Sequence, residues 1–367
     1  MAATKQGGAI LMAALALPGV AQADNAPDKS SISLRYLNYS DSQANLDRIS
    51  VHSPSVELEV PIAGVWSVRA NMVADSISGA SPRYHTAVSG ASHFDERRIG
   101  EEVAVTRYFA RSSITVSGGR SGENDYVSHF GAANASVSSE DNNTTWLFGL
   151  GAASDKINPV NLAVTDENRH TLEAMLGATQ VLTKSDIIQV VLRHVRGRGY
   201  FSDPYKYVDK RPREHDQDTL LARWNHHVDG ADATLRLAYR YYRDSYGIDA
   251  HTLTNEYVQA LPGGWTLTPS LRLYRQTAAE FYFDPVYDKR FGPPFPPGYS
   301  FTSTAFTSAD QRLSAFHALT WGLKVEKELG HDTSFDIKLE DYRQRATSPG
   351  LLDFKARSVQ AGITFRW

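Results

Sequence analysis

The stretch "ATLRLAYRYY", residues 233–242, decides the fold class. Leu235, Leu237, Tyr239 and Tyr241 fall on one side of it, and Thr234, Arg236 and Arg240 on the other. Strict alternation sends successive side chains to opposite faces of a strand, whereas a helix needs apolar residues at i, i+3 and i+4. The same period runs outward in both directions. "SVELEV" (residues 55–60) sets Val56, Leu58 and Val60 against Ser55, Glu57 and Glu59. "WSVRANM" (66–72) sets Trp66, Val68, Ala70 and Met72 against Ser67, Arg69 and Asn71. "TSFDIKLEDY" (333–342) sets Phe335, Ile337 and Leu339 against Asp336, Lys338 and Glu340. No sustained helical pattern interrupts these runs.

Short turns alternate with longer polar connections along the chain. The short ones fall near 62–64, 110–113, 140–143, 183–186, 229–230, 263–264 and 329–330. The longer ones fall near 40–50, 77–94, 122–125, 155–168, 199–216, 244–250, 283–308 and 346–352. This rhythm predicts an all-β fold: a transmembrane up-and-down antiparallel β-barrel of about sixteen strands, with periplasmic termini and long extracellular loops. A soluble sandwich or propeller is the competing reading. Against it, the polar faces carry too many charges to pack as a second core, and no blade-length repeat is visible. The closing "SVQAGITFRW" (358–367) puts Val359, Ala361, Ile363, Phe365 and Trp367 on one face. It is similar to the terminal strand by which barrel assembly machinery recognises outer-membrane proteins.

A barrel follows from the solvent as well as from the pattern. In hydrocarbon every backbone N–H and C=O must be paired within the protein, so the last strand must close on the first, "SISLRYLNY" (31–39). The apolar face then meets outer-membrane lipid. Trp66, Trp146, Trp265, Tyr241 and Trp367 stand near predicted strand ends, as interface girdles do. About sixteen strands enclose more space than side chains fill, so the lumen holds water, an inward loop or a ligand.

The remaining composition narrows the function classes. Lys5, the apolar run 9–20 and Ala21-Gln22-Ala23 form the three parts of a signal peptide over residues 1–23, leaving 24–367 as one barrel domain. There is no cysteine in the 367 residues, which excludes disulfides, Cys-bound zinc, c-type haem attachment and Cys-ligated iron–sulfur clusters. A net charge of −3 gives no basic field for nucleic acid. The sequence assigns no cofactor.

The lumen face carries the chemistry. The predicted inward set includes Glu57, Glu59, Arg69, Glu173, Arg193, Arg223, Arg236, Arg240, Arg272, Arg312, Lys338 and Glu340. Acids dominate the first half of the chain and arginines the later strands. That asymmetry points to a transverse field and a solute-selective constriction, or to ion pairs that brace the wall.

Several loop motifs stand out. "DSISGASP" (75–82) contains Asp75, Gly79 and Pro82 and reads as a tight corner. It lacks the G-x-S-x-G pattern of a serine nucleophile, and no catalytic set assembles from spacing. "SGENDY" (121–126) offers Glu123 and Asp125 as oxygen ligands, without the EF-hand pattern, and reads as a solvated turn. His226 and His227 are neighbours on a strand and point apart, so they do not chelate one metal. "GYFSDPYK" (199–206) contains Tyr200, Asp203, Pro204, Tyr205 and Lys206 and reads as an outer corner that fixes a loop at the pore mouth. Residue Asp203, before proline, starts the turn. The proline-rich segment 283–308 reads as a lid, a constriction or a partner surface.

The motifs "DSISGASP", "DERRIG…TRYF" (95–109), "SGENDY", "GYFSDPYK", "AHTLTNEY" (250–257), "LRLYRQTAAEFY" (271–282) and "SADQRLSAF" (308–316) occur in an order that resembles the bacterial DUF3570 proteins. That is a family of predicted outer-membrane barrels of unknown function. The resemblance implies the barrel and the membrane and carries over no functional residue. It also implies neighbours: a small lipoprotein, a flavin transferase and a thioredoxin-like protein, hence an envelope redox partner. The resulting expectation is a non-enzymatic channel or transport conduit with a charged lumen. The alternative is a scaffold or sheath barrel for an envelope redox assembly.

Overall fold

The structure, a computed structural model, describes residues 25–43, 46–80, 93–206, 208–284, 295, 298–300, 303–347 and 353–367. The signal-peptide expectation, Pro82 and most of the proline-rich segment lie outside the described residues.

Eighteen strands follow in order: β1 Ser31–Gln43, β2 Leu46–Ile62, β3 Trp66–Ala80, β4 His93–Tyr108, β5 Ser112–Gly122, β6 Tyr126–Ser138, β7 Thr144–Ile157, β8 Glu167–Val181, β9 Asp186–Gly199, β10 Asp209–Lys210, β11 Glu214–Val228, β12 Ala233–Asp244, β13 Asp249–Leu261, β14 Trp265–Gln276, β15 Thr307–Ser308, β16 Phe316–Leu329, β17 Thr333–Ala346 and β18 Phe354–Arg366. Sixteen of them close into one antiparallel barrel, each pairing with its neighbours in sequence. Closure is made by β1 on β18, in register from Ser31 opposite Arg366 to Gln43 opposite Phe354. The two-residue strands β10 and β15 stand apart from the barrel ladder and pair with each other, and Ser308 of β15 also bridges Tyr282.

The alternation seen in sequence sorts the two faces. Leu34, Val103, Val116, Leu150, Leu172, Leu192, Leu271 and Val359 are exposed on the outer wall. Leu150 is 67% exposed. An apolar belt of this extent has hydrocarbon, not water, as its partner. At the end of the barrel that carries the termini the hairpins are short. Gly263 and Gly264 both have positive φ (79° and 75°), the geometry of the tight turns whose twist matches a hairpin. Trp66, Trp146 and Trp265 open strands at this end, Trp367 ends the chain there, and all four are exposed. Arg107 lies 4.9 Å over Trp66 and Lys327 lies 5.1 Å over Trp265.

The longer connections gather at the opposite end. The polar segment 40–50, expected as a long loop, is strand on both sides of residues 44–45. Asp41 and Gln43 are buried there, and Asp41 meets Arg48 at 3.7 Å. The apolar core sits at this end as well: Tyr246, Ile248, Ala279 and Leu313 pack together, with Tyr242, Phe281 and Tyr282 against them.

Candidate functional site: the lumen and its lid

Gly199 ends β9 at φ +129°, and a Cβ there would lie 2.1 Å from the Asn168 carbonyl oxygen. Only glycine turns the chain at this point, and the turn sends "GYFSDPYK" back across the barrel mouth. Phe201 folds inward over Gly197, edge-on to His215 at 5.5 Å, and is buried. Asp203 Oδ1 accepts from the Tyr205 N–H at 3.0 Å, and the Lys206 N–H donates to the Asp203 carbonyl at 3.1 Å, an Asx turn inside a β-turn. The Tyr205 hydroxyl donates to Asp125 Oδ2 at 2.5 Å and accepts from the Val160 N–H at 3.1 Å. Asn161 Nδ2 donates to the Pro204 carbonyl at 2.9 Å.

The other half of the lid comes from the connection between β14 and β16. Asp310 caps a 3-10 turn, Gln311–Leu313, by accepting from the Arg312 N–H at 3.1 Å. This turn corrects the placement of Arg312, expected on a strand wall; the residue stands in the lid because Asp310 ends the extended run before it. Arg312 Nη2 donates to Asp203 Oδ2 at 3.0 Å and also bonds Asp310. Arg211 donates to Asp209 at 2.9 Å and to Asp310 at 2.7 Å, with these side chains almost wholly buried. The β10–β15 pairing ties the same two segments through backbone. Gln43 Nε2 reaches Gln311 Oε1 at 3.0 Å, joining the end of β1 to the lid.

Burial pushes Lys206 below the usual lysine range, against the pull of Asp310. Burial would raise Asp310, but Arg312, Lys206 and Arg211 outweigh it and hold the carboxyl well below the usual range. Burial raises Asp209, which has Arg211 as its cationic neighbour.

The anchors of the segment 200–213 define its span. Tyr205 reaches the β5–β6 connection and Arg211 reaches the β14–β16 connection. Eight of the sixteen barrel strands separate those connections, which is half the circumference. The segment is therefore a strap across the mouth.

Below it, a cavity of about 340 Å³ lies against β4 to β12. Gly149, Gly151 and Ala153 of β7 and Gly197 of β9 make room for it. The predicted lumen residues fall into separate contacts around the wall. Arg69 donates to Glu59 at 2.8 Å on neighbouring strands, and Glu57 stands opposite Asn71. Arg193 binds Glu173 with both its Nε and its Nη2, the latter at 2.6 Å. Arg223 donates to Gln189 at 2.9 Å. Arg236 approaches Glu256 at 3.9 Å, and Lys338 pairs with Glu340 at 2.8 Å. Arg240 donates to Thr252 Oγ1 at 3.4 Å, and Arg272 stands between Thr254 and Thr320.

The loop motifs are placed as follows. Asp75 and Gly79, expected in a tight corner, stand instead within β3, because the ladder with β4 runs on through them: Asp75 pairs with Arg98 at 2.5 Å, and Gly79 stands opposite Phe94. Tyr200 donates its N–H to the Asn168 carbonyl at 2.9 Å. Glu123 and Asp125, expected in a solvated turn, are drawn instead under the strap: they come together with Glu96, their carboxylate oxygens within 4.8 Å, and Asp125 and Glu96 are buried. His226 and His227 go to different carboxylates, Asp186 at 2.8 Å and Asp229 at 3.6 Å.

One lumen feature was missed in the sequence. Tyr39, Tyr242, Tyr274 and Tyr342 face inward on β1, β12, β14 and β17. Each donates its hydroxyl to the residue two further on: Asp41 at 3.2 Å, Asp244 at 2.8 Å, Gln276 at 2.6 Å and Gln344 at 2.8 Å. Buried Ala250, Ala318 and Ala356 stand opposite Tyr242, Tyr274 and Tyr342 on the next strands, leaving space for the rings. The signal was a recurrent Tyr-x-Asp/Gln near strand ends.

A closed barrel of sixteen antiparallel strands with an apolar outer belt defines an outer-membrane-type β-barrel protein. More particularly, the chain belongs to the family described as "Protein of unknown function (DUF3570)", whose model matches residues 7–108 and 160–357. No curated protein matches the sequence. Among solved structures, it is similar to a "Bacterial polysaccharide outer membrane secretin" at TM-score 0.53 and 8% identity, over 92% of this chain and 98% of that one. It is also similar to CdiB from Acinetobacter baumannii at TM-score 0.51 and 8% identity, over 92% of this chain and 60% of that one. OccK2 (OpdF) of Pseudomonas aeruginosa, solved with glucuronate, superposes at TM-score 0.48 and 11% identity, over 92% and 98% of the two chains. These likenesses concern the fold alone, a closed β-barrel of the outer-membrane type.

Proposed function

We propose that the protein is a non-enzymatic outer-membrane conduit for small solutes, gated at its outward end by the strap 200–213. The single observation that carries this is the strap's span. Its two anchors, Tyr205 on Asp125 and Arg211 on Asp310, sit half the barrel apart with a cavity beneath. A barrel that only sheathed a partner would need no cross-mouth tie over a lined cavity. The wall pairs Arg69–Glu59, Arg193–Glu173 and Lys338–Glu340 make the lumen a charged passage that discriminates among solutes. The short-turn end with both termini faces the periplasm. The strand β18, with Phe365 and the following Trp367, is the element the assembly machinery reads.

Planar bilayer recording tests this. Wild-type protein gives small, intermittent conductance, and Arg211→Ala, which cuts one anchor, gives larger and longer openings. Electrical silence of both proteins, each shown to be assembled by heat-modifiable gel mobility, would overturn the conduit reading. That result would favour the scaffold barrel for an envelope redox partner or lipoprotein.

A further inference from the structure

We propose that the cavity beneath Phe201 is a binding chamber for a small organic anion, whose carboxylate is held by Arg240 and whose apolar body lies against Gly149, Ala153 and Val191. The charges of the wall lead to this assignment. Two guanidiniums that line the cavity are already neutralised: Arg169 by Asp155 at 2.7 Å and Arg193 by Glu173 at 2.6 Å. Arg240 is the third, and among the described residues no carboxylate lies within ion-pairing distance of it. Its hydrogen bond to Thr252 is long, at 3.4 Å. Arg272 adds positive charge beside it. A half-buried guanidinium without an anion is costly, and its planar fork matches a carboxylate with two parallel hydrogen bonds.

The lining carboxylate outside the two ion pairs is distant. Glu102 stands on β4, with six barrel strands between it and β12, and it bonds Ser117. Between these two ends the lining carries the apolar Gly149, Ala153 and Val191, with Phe201 of the strap, and beside Arg240 it carries Leu221, Thr219 and Tyr242. A volume of about 340 Å³ lies at the small end of ligand sites, which run from about 300 to 1,000 Å³. One cationic fork beside an apolar slot selects an amphipathic acid over an inorganic ion.

The inference rests on the conduit reading only for the ligand's way in, and equilibrium binding tests it without conductance. The full-length protein, purified in detergent, is titrated calorimetrically with benzoate and with the neutral isostere benzamide. Benzoate binds with one site, and benzamide binds at least tenfold more weakly. Arg240→Gln weakens benzoate at least tenfold and leaves benzamide unchanged. Arg240→Lys, which keeps the charge and loses the fork, falls between them. Ala153→Leu weakens both probes by filling the slot. Equal affinity for benzoate and benzamide, or benzoate binding untouched by Arg240→Gln, would overturn the proposal. Displacement of benzoate by inorganic phosphate at equal concentration would overturn the apolar half of it. A barrel that conducts without binding benzoate defeats the chamber alone, and one that binds benzoate without conducting defeats the conduit alone.

Discussion

Arg211 and Asp310 are 99 positions apart in the chain and meet at 2.7 Å, with both side chains sealed from solvent. The pair joins two loops that the barrel walls hold apart, so its energy acts on the lid rather than on the barrel. Removing one partner of a buried pair leaves the other charge stranded, which costs about 3–5 kcal/mol. Asp310→Ala takes one of two carboxylates from Arg211, which keeps Asp209, and one of two from Arg312, which keeps Asp203, so the expected cost lies toward the lower end of that range. The expected result is faster hydrogen–deuterium exchange and faster tryptic cleavage across residues 200–213, at Lys206 and Lys210. The barrel strands keep their protection. Unchanged exchange in that segment would show that the backbone pairing of β10 with β15 holds the lid without the ions.

Between pH 7 and pH 5 the two buried carboxyls of the lid, Asp310 and Asp209, do not work to open it. Asp310 is held below its ordinary range in the closed lid by Arg312, Lys206 and Arg211, against its own burial. A carboxyl with a depressed pKa contributes in full above its solvated value near 4 and loses that contribution only as pH falls through the lower, closed-state value. Asp209 is raised by burial, so protonation favours the closed form as pH falls. Neither group opens the lid between pH 7 and pH 5. Single-channel open probability measured over that interval checks the sign, and a rise on acidification would contradict it.

Gly199→Ala strikes the lid through the backbone. The residue holds φ +129° with the Asn168 carbonyl where a Cβ would go. A non-glycine residue in this region costs about 1–3 kcal/mol before any clash is counted. The strap then leaves the barrel at a different angle, and Phe201 is drawn off Gly197. Trypsin sensitivity of residues 200–213 rises as in Asp310→Ala, while heat-modifiable mobility of the barrel persists. Gly64→Ala is the control, because its positive φ lies in a short turn where a Cβ meets nothing within 4 Å.

The barrel was legible because each strand states its own two faces. In "ATLRLAYRYY" the odd positions meet lipid and the even ones meet the lumen, and no distant contact is needed to know it. Cross-strand partners such as Arg69 and Glu59 were legible as inward residues but not as a pair, since register is set by turns and bulges. The lid was not legible. "GYFSDPYK" carries a turn signature that is the same for an outer corner and for an inward strap. What decides between them is Asp125, Asp209, Asp310 and Arg312, three of which lie far along the chain or beyond other strands. The cavity was equally hidden, because glycines and alanines such as Gly149 and Ala153 read as weak strand formers until their common face is known.

Leu150→Arg tests the belt on which the membrane reading stands. Leu150 lies toward the middle of β7 on the outer wall and is 67% exposed there. In water an arginine at such a position would be harmless and would improve solubility. Against hydrocarbon near the bilayer midplane it costs about 2–4 kcal/mol. Refolding into lipid vesicles separates the two cases. The variant assembles with lower yield and a lower urea midpoint than wild type, whereas Lys156→Arg, near the loop end of the same strand, matches wild type. Equal midpoints for Leu150→Arg and wild type would mean that this face does not meet lipid, and the apolar belt would then need another partner.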